Sequence, residues 1–277
     1  MGTLPDRSDS AVRQAKLSAG LPGGIGIEWV YPLTWEAEVE MTRSSAPNKL
    51  KATIFNLGPA SLKMLDTKGV MIRLLAGEPA ASLIFQGDVL TKDVTTKRVG
   101  ADWATEITAR DGGRKYLESR FNKAYPAGTA WSVILADAAA GLGYPIGYIG
   151  AGFPSSGTTT GPWVMMGTAR AAMDSVCGQF ECGWWIENGK IYVLGSREGM
   201  AVGQVPLLSP ETGLIGAPEK QKGAVKTKSI LLPTMRPGGF YVVKSRFITG
   251  GMVASKATHK VNSACSVWET SITGAPR

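Results

Sequence analysis

Four acidic side chains in the first half of the chain have the chemistry of a glycoside hydrolase, which uses one carboxyl group as acid and another as base or nucleophile. They are Asp88, Asp93, Asp102 and Glu106. All four fall among interspersed lysines in segments with a strand pattern, as surface charges commonly do. No other residue types complete a catalytic constellation around them. We therefore interpret them as surface charge and expect that the protein is not an enzyme.

The single histidine, His259, lies in the strand-like segment Ala-Thr-His-Lys-Val, and no serine or cysteine motif indicates that it acts as a base. A nucleophile needs a base and an orienting group together, so we predict a structural role for His259. Cys177 and Cys182 lack the further Cys or His ligands that zinc requires, and we predict no metal and no cofactor. With Cys265 the cysteines are odd in number, which indicates buried thiols in a reducing compartment.

Two other sequence features, a glycine-rich stretch and a basic stretch, could bind phosphate or nucleic acid. The glycine-rich stretch 150–161 lacks the Gly-Lys-Ser/Thr ending of a phosphate-binding loop, so we predict a mobile loop there. The chain has a formal charge of +8, and its densest basic stretch contains Lys220, Lys222, Lys226 and Lys228. No aromatic residues alternate with these lysines to stack on bases, which favours a solvated strand edge or loop. Proximity to DNA or to an acidic partner is the second interpretation.

The elements that hold these residues include an internal repeat. The motif Trp-x-Thr-x-Ile-Thr occurs twice, beginning at Trp103 and at Trp268. In each copy the Trp, Thr and Ile fall on one face of a period-two pattern, which predicts a half-buried closing strand. The residues that define the structural repeat are Trp103, Thr105, Ile107, Trp268, Thr270 and Ile272.

Segments upstream of each motif extend the repeat. A lysine-led apolar strand runs into a proline at residues 51–59 and again at residues 228–233. A glycine followed by another apolar strand comes next, at residues 69–75 and 239–244. Shared letters in a single strand can arise by chance, but the same order in three segments favours a duplication.

The change of pattern along the 277 residues predicts a mainly β chain of the α+β type in four parts. Residues 1–24 are interpreted as a flexible N-terminal arm with helix propensity between Asp9 and Ser18. The remaining parts are a first β unit, an inserted α/β unit and a second β unit, at residues 25–112, 113–198 and 199–277.

Local patterns predict helices and a hairpin at defined places. A short helix is expected near residues 61–65 of the first β unit. In the insert, apolar residues three and four apart predict a helix from Trp131 to a glycine stop at Gly141, and a second helix is expected at residues 169–177. The Asn-Gly pair within residues 184–194 predicts a β-hairpin with a type I′ turn.

The sequence has neither the pattern of a membrane-spanning helix nor that of a secretory signal. No apolar run approaches the roughly 20 residues that a membrane-spanning helix needs. The N-terminal residues lack the basic start and apolar core of a secretory signal. We therefore expect a protein that folds in a cytoplasm and has no membrane partner.

Several segments, taken in order, resemble the baseplate hub proteins of contractile-tailed phages. Those that resemble the first hub domain are Lys51-Ala-Thr-Ile-Phe-Asn-Leu-Gly-Pro59, Phe85-Gln-Gly-Asp-Val89 and Ile107-Thr-Ala-Arg-Asp-Gly112. Those that resemble the recurring C-terminal pattern are residues 208–216, Leu231–Pro233 with Pro237–Gly238, and 259–270. The resemblance covers residues 27–277.

The resemblance implies two related β-barrel-like tube domains that flank the inserted α/β domain. It also implies a homotrimeric hub that joins the six-fold tail tube to the three-fold central spike, around a channel through which DNA passes without sequence-specific binding. The implied partners are further copies of the chain, the tail tube protein, the central spike, the tape measure protein and the baseplate wedge proteins. The implied location is the virion tail baseplate, assembled in the host cytoplasm.

Two alternatives to the hub are open. Another tail-tip or tail-tube protein would explain the repeat nearly as well, and it would form hexamers. A polysaccharide-cleaving tail enzyme is the third interpretation, and it predicts that mutating one carboxylate abolishes hydrolysis while assembly survives.

Overall fold

The computed structural model describes residues 13–24, 26–200 and 203–277. Residues 1–12 of the predicted arm, with the start of its helical stretch at Asp9, lie outside the described residues. Within the described part of the arm, residues 14–20 form a strand, β1 (Gln14–Gly20), so the predicted helical stretch is wrong there. Ala15, Leu17 and Ala19 alternate with polar residues and are buried against a neighbouring strand. Helix propensity is a weak preference that such burial overrides.

The rest of the first β unit follows the predicted alternation. In its clearest strand, Trp35, Ala37, Val39 and Met41 are buried, while the glutamates between them face outward. Helix α1 (Pro59–Leu65) begins with a proline, whose fixed φ suits a first turn, and it confirms the predicted short helix. The strands are β2 (Ile27–Trp29), β3 (Trp35–Thr42), β4 (Lys49–Phe55), β5 (Met71–Gly77), β6 (Ser82–Val99) and β7 (Asp102–Arg110).

The insert contains three further helices and a small number of short strands. Both predicted helices are present, but α3 runs past the expected stop at Gly141 and ends at Gly143, which has the positive φ of 74° that terminates helices. Asn188 and Gly189 have φ values of 49° and 76°, as a type I′ turn requires. The elements are α2 (Gly113–Glu118), β8 (Phe121–Tyr125), α3 (Trp131–Leu142), β9 (Ile146–Ile149), β10 (Trp163–Gly167), α4 (Ala169–Gly178), β11 (Cys182–Glu187) and β12 (Lys190–Gly195).

The second β unit returns to strands and loops. It begins with a two-residue strand and a single 3-10 turn at Pro210–Thr212. Two of its strands, at Ala224–Ile230 and Trp268–Pro276, alternate buried and more exposed residues as those of the first unit do. The strands are β13 (Leu207–Leu208), β14 (Glu219–Gln221), β15 (Ala224–Ile230), β16 (Phe240–Lys244), β17 (Thr249–Asn262) and β18 (Trp268–Pro276).

Both β units belong to one 13-stranded sheet, and the predicted mainly β fold is confirmed. Its strands follow the order β14-β15-β18-β17-β3-β4-β7-β6-β5-β1-β2, while β16 pairs with β17 and β13 with β16. The pairing of β17 with β3 joins the two units. Local sequence patterns do not encode this seam, because any strand with one apolar face fits many partners.

The apolar side chains form one core for the β units, another for the insert, and a small third cluster of Trp185, Leu194 and Met200. Buried residues from β1 to β7 and from β13 to β18 belong to a single cluster that includes Leu17, Ile54 and Ile272. The second cluster gathers α3, α4 and the strands of the insert around Ile134 and Val176. In the described part of the chain, no helix is long and apolar enough to cross a membrane.

Candidate assembly surface

The two β units have the same strand order. In the first unit β3, β4, β7, β6 and β5 lie side by side, and in the second unit β14, β15, β18, β17 and β16 do so in the same sequence order. Every one of these neighbouring pairs is antiparallel. The common order supports the duplication inferred from the Trp-x-Thr-x-Ile-Thr motif, which stays a prediction.

The register of the motif strands relates the two units residue by residue. Ile107 of β7 lies opposite Ala52 of β4. Ile272 of β18 lies opposite Thr227 of β15. Taking Ile107 and Ile272 as equivalent therefore makes Ala52 equivalent to Thr227.

This register corrects the upstream match. Because Ala52 corresponds to Thr227, Lys51 corresponds to Lys226 and not to Lys228 as the sequence match assumed. A shift of two residues leaves every side chain on the same face of a strand, so the apolar pattern alone does not distinguish the two registers.

The six repeat residues are in equivalent strands but differ in burial. Four of them are buried in both copies, namely Thr105, Ile107, Thr270 and Ile272. Trp268 is also buried, with 7% of its surface exposed, and the guanidinium of Arg13 lies 5.5 Å from its ring centre. Trp103 is 54% exposed, although the sequence pattern places it with Thr105 and Ile107 on one face of a half-buried strand. It lies near the start of β7, opposite Arg98 near the end of β6.

Two ion pairs flank the seam between β17 and β3. The Lys260 ammonium lies 3.7 Å from a Glu38 carboxylate oxygen, and the Lys256 ammonium lies 2.7 Å from Glu40. All four side chains are nearly half exposed, so each pair adds little to stability. Their alternation along the two strands instead favours one register of the seven residue pairs that form the seam.

His259 lies within this seam, opposite Val39, and is completely buried. Its Nδ1 lies 2.9 Å from the Thr270 hydroxyl, and its Nε2 lies 3.0 Å from the Met235 carbonyl oxygen. Burial lowers the pKa of His259 to about 4, although the bond to Met235 opposes the shift. The ring is therefore neutral at pH 7. It links β17, β18 and the loop between β15 and β16 that contains Met235, which is a structural role.

Among the strands of the two β units that share the repeated order, β14 and the second half of β6 have an open edge in the described residues; β2 is the edge strand at the other end of the sheet. β14 is the last strand at one end of the sheet, and its residues Glu219, Lys220 and Gln221 are all exposed. The second half of β6, residues 94–99, pairs with β7 on one side and with no described strand on the other. Unpaired backbone groups on such edges are templates for pairing with another strand.

The basic stretch lies on one of these edges. Lys220 is on β14, Lys222 is in the turn that follows, and Lys226 and Lys228 point outward from β15. The Lys228 ammonium lies 2.5 Å from the Glu269 carboxylate. The predicted solvated strand edge is confirmed.

The candidate carboxylates make structural contacts. Asp93 forms an ion pair with Arg110, and Glu106 lies 2.5 Å from the Lys97 ammonium. Asp102 accepts a hydrogen bond of 2.9 Å from the Asn56 amide. Asp88 is opposite Arg110 and Met71 in the sheet. The four residues are thus distributed over β6 and β7.

The glycine-rich loop binds a carboxylate of the chain itself. The amides of Ala151 and Gly152 donate to Glu198 at 2.5 and 3.2 Å, and the Gly195 amide donates at 3.0 Å. Burial alone would raise the pKa of Glu198, but these amides and Arg43 outweigh it and lower that pKa. The loop therefore presents its amides to Glu198.

The cysteines divide into two environments. Cys177 and Cys182 are buried as predicted, and burial raises the pKa of the Cys177 thiol to about 12. Cys265 is only partly buried, so the predicted burial does not hold for it; it occupies a turn position between β17 and β18 with a φ of 53°. No group of three or more His, Cys, Asp or Glu residues in the described ranges is arranged to hold a metal ion.

A buried polar junction between the insert and the sheet was not predicted from the sequence. Asp111 is 2% exposed and accepts hydrogen bonds from the Asn188 and Gly189 amides at 2.6 and 3.4 Å. Burial raises the pKa of Asp111 to about 7 despite these donors. Asn48 donates at 2.8 Å to the Ile186 carbonyl oxygen. The Asn-Gly turn was the only sequence feature that marked this place, since its partners are distant in the chain.

The same hairpin also contacts the second β unit. The Glu187 carboxylate lies 3.3 Å from the Arg236 guanidinium and is almost completely buried. Burial raises the pKa of Glu187, while the charge of Arg236 opposes that shift. The insert is therefore fixed to both β units through β11 and β12.

Comparison with known proteins identifies the fold. No protein-family profile matches the sequence. No curated protein matches it either. The 43 kDa tail protein of prophage MuSo2 from Shewanella oneidensis aligns with 95% of this chain and 98% of its own, at a TM-score of 0.66 and 8% identity. This chain has a phage tail-protein fold.

Other solved structures share the tail-protein fold. A tail protein from Neisseria meningitidis MC58 aligns with 94% of this chain and 96% of its own, at a TM-score of 0.64 and 9% identity. The E. coli c3393 protein aligns with 90% of this chain and 76% of its own, at a TM-score of 0.57 and 12% identity. That protein is a component of the type VI secretion system with structural similarity to the T4 tail proteins gp27 and gp5. The predicted resemblance to phage tail proteins is thus confirmed as a similarity of fold.

Proposed function

We propose that this chain is a structural hub protein of a phage-type tail, a homotrimer that joins a six-fold tail tube to a three-fold central spike. The observation that carries the proposal is the repeated strand order of two β units within one chain that has a phage tail-protein fold. Three such chains present six similar β units around one axis, whereas a chain with one unit would need six copies.

The two kinds of unit suit the two sides of an adaptor. The β units at residues 25–112 and 199–277 occur twice per chain and would form the side that faces a six-fold tube. The insert at residues 113–198 occurs once per chain, so in a trimer it supplies three-fold features toward the spike or the outside. Its separate core and its polar junction with both β units are compatible with a rigid attachment.

The partners follow from this place in the assembly. They are two further copies of the chain, the tail tube protein, the central spike, the tape measure protein and the baseplate wedge proteins. DNA passes through the channel without sequence-specific binding. The location is the baseplate of a virion tail, assembled in the host cytoplasm. The role is structural, since the candidate carboxylates and His259 serve contacts within the sheet.

The native mass of the purified chain tests the proposal, measured alone and mixed with the tube and spike proteins of the same tail. We expect a species of three times the 29.3 kDa chain in at least one sample. A six-fold species would instead indicate a tail-tube protein. A chain that stays monomeric in both samples and cleaves polysaccharide, with activity lost in Asp93→Asn, would contradict the hub and indicate a tail enzyme.

A further inference from the structure

The long strands β6 and β17 have the same place in the strand order of the two β units, and each has two halves with different neighbours. The first half of each pairs with the preceding strand, β5 or β16, and the second half continues alone past it. Each also has a register irregularity against its closing strand, between Val89 and Val94 in β6 and between Ala254 and Lys256 in β17. Irregularities of this kind bend a strand and re-aim its free part.

The strands β6 and β17 differ in what pairs with their second halves. On β17, residues 256–262 pair with β3, which is the first strand of the other β unit. On β6, the corresponding residues 94–99 have no described partner on that side. The β17·β3 seam thus indicates that the open edge of β6 suits a strand that resembles β3.

The strand equivalent to β3 is β14, which is also open. Glu38 of β3 lies opposite Lys51 of β4, and Glu219 of β14 lies opposite Lys226 of β15. Since Lys51 and Lys226 are equivalent, Glu219 has the position of Glu38. β14 is therefore a free copy of the strand that fills the seam.

The same comparison gives the partner of Glu219. Lys260 of β17 lies opposite Glu269, three residues before Ile272, and Lys97 of β6 lies opposite Ala104, three residues before Ile107. Lys97 is therefore equivalent to Lys260, whose ammonium lies 3.7 Å from Glu38.

We propose that β14 of one copy pairs antiparallel with residues 94–99 of β6 in a second copy, with Glu219 opposite Lys97. The inference rests on the proposed hub function and names the surface that joins its chains. In this register Lys220 and Gln221 lie opposite Thr96 and Thr95. Three seams between chains would then alternate with the three β3·β17 seams within chains and make the six-fold ring continuous.

Charge and exposure support a second copy as the occupant. Glu219 and Lys97 have opposite charge, as Glu38 and Lys260 have in the existing seam. Lys97 already contacts Glu106, and a second carboxylate on the other side would complete a three-residue row. Val99 and Trp103, at the end of this edge, are 47% and 54% exposed and would gain cover. Because β14 and β6 are different surfaces of one chain, the contact is head-to-tail and can close a ring.

A charge reversal tests the pair. Glu219→Lys places two ammonium groups opposite each other, so we expect the dissociation constant of the oligomer to rise about tenfold. Adding Lys97→Glu restores opposite charges and should recover most of that loss. Glu118→Lys makes the same charge change at an exposed position on α2 and should leave the oligomer unchanged. Mass measured by sedimentation over a dilution series gives the readout.

Disulfide formation tests the register independently of affinity. Directly opposite residues of antiparallel strands have Cα atoms about 4.5–5.5 Å apart, within the roughly 4.4–6.8 Å that a disulfide spans, while diagonal neighbours are about 7–8 Å apart. In a Cys265→Ser background, Lys97→Cys with Glu219→Cys should give linked trimers on oxidation. Thr95→Cys with Glu219→Cys is the off-register control and should remain largely unlinked.

The outcomes separate this inference from the hub itself. Suppose that the wild-type chain forms a trimer, that Glu219→Lys does not raise its dissociation constant, and that the cysteine pair forms no specific disulfide. That result would overturn the strand pairing and leave the hub in place. A six-fold species with the specific disulfide would overturn the trimer and uphold the pairing. A chain that stays monomeric with tube and spike proteins and never links would overturn both.

Discussion

Trp103 and Trp268 belong to strands with the same place in the strand order of the two β units but have opposite environments, and this difference is testable by truncation. Trp268 is buried against the core and covered by Arg13, so Trp268→Ala should lower the free energy of unfolding by about 3–5 kcal/mol. Trp103 is more than half exposed, so Trp103→Ala should cost less than about 1 kcal/mol in the isolated chain. Urea unfolding of the two variants at equal concentration measures both values.

Equal losses for the two variants would show that Trp103 is covered in solution. In that case the comparison should be repeated below the concentration at which the chain associates, because a second copy lying on β6 would also bury Trp103. A loss for Trp103→Ala that disappears on dilution would locate its cover in another chain.

His259 makes stability depend on pH with a defined sign. Its folded pKa of about 4 lies below the ordinary value of about 6.5 in the unfolded chain. Between these values the unfolded chain binds more protons, so the free energy of unfolding falls as pH falls. The loss due to His259 should be about 2 kcal/mol between about pH 7.5 and about pH 5.

The His259 contribution must be separated from that of Asp111. Burial raises the pKa of Asp111 to about 7, so its folded form binds the extra proton and stability due to Asp111 rises as pH falls. His259→Gln removes only the first group, and the difference between wild type and this variant should carry the His259 slope. Parallel unfolding curves for the two proteins across this pH range would contradict the buried neutral ring.

At the scale of elements, the β11–β12 hairpin depends on a turn that only glycine adopts without strain. Gly189 has a φ of 76°, and a Cβ there would meet no atom within 4 Å, so backbone strain is the only cost of Gly189→Ala. We expect a loss of about 1–2 kcal/mol in the free energy of unfolding. Gly161→Ala is the matched control, because its site is equally open and has no positive φ. A Gly161→Ala loss as large as that of Gly189→Ala would refute the strain argument.

The elements that the sequence predicted are those whose patterns are local. Alternation of buried residues marked β3, and three- and four-residue spacing marked α3. The strand β1 was missed because its small apolar residues also suit a helix, and only burial against β5 decides between them. The seam between β17 and β3 and the buried Asp111 were missed because their partners lie far away in sequence.

The same reasoning applies to the candidate assembly surface. The repeat motif was visible as letters, and the basic stretch was correctly placed on an edge. The register that relates the two β units could not be predicted from the sequence, because strands shifted by two residues have the same apolar face. Only the cross-strand partners of Ile107 and Ile272 fix which lysines and glutamates correspond.

At the scale of the whole molecule, one sheet and one core bind the β units into a single cooperative body. Seven residue pairs cross the β17·β3 seam, and the buried side chains of both units form one cluster. A cavity in the second unit should therefore weaken the first unit as well. The insert has its own core and meets the sheet through β11 and β12, by polar contacts and by a small apolar cluster of Trp185, Leu194 and Met200. A cavity there should have a more local effect.

Native-state hydrogen exchange distinguishes these responses. Ile272→Ala, at a fully buried position of β18, should lower stability by about 2–5 kcal/mol and speed amide exchange in β3, β4 and β7 as well as in β15 and β17. Ile134→Ala makes the same chemical change in α3 and should speed exchange in α3 and α4 while β3 and β4 stay protected. If Ile272→Ala left β3 and β4 unaffected, the two β units would be independent domains in contact. Their arrangement in the proposed hub would then be set by the neighbouring chains and not by the continuous sheet.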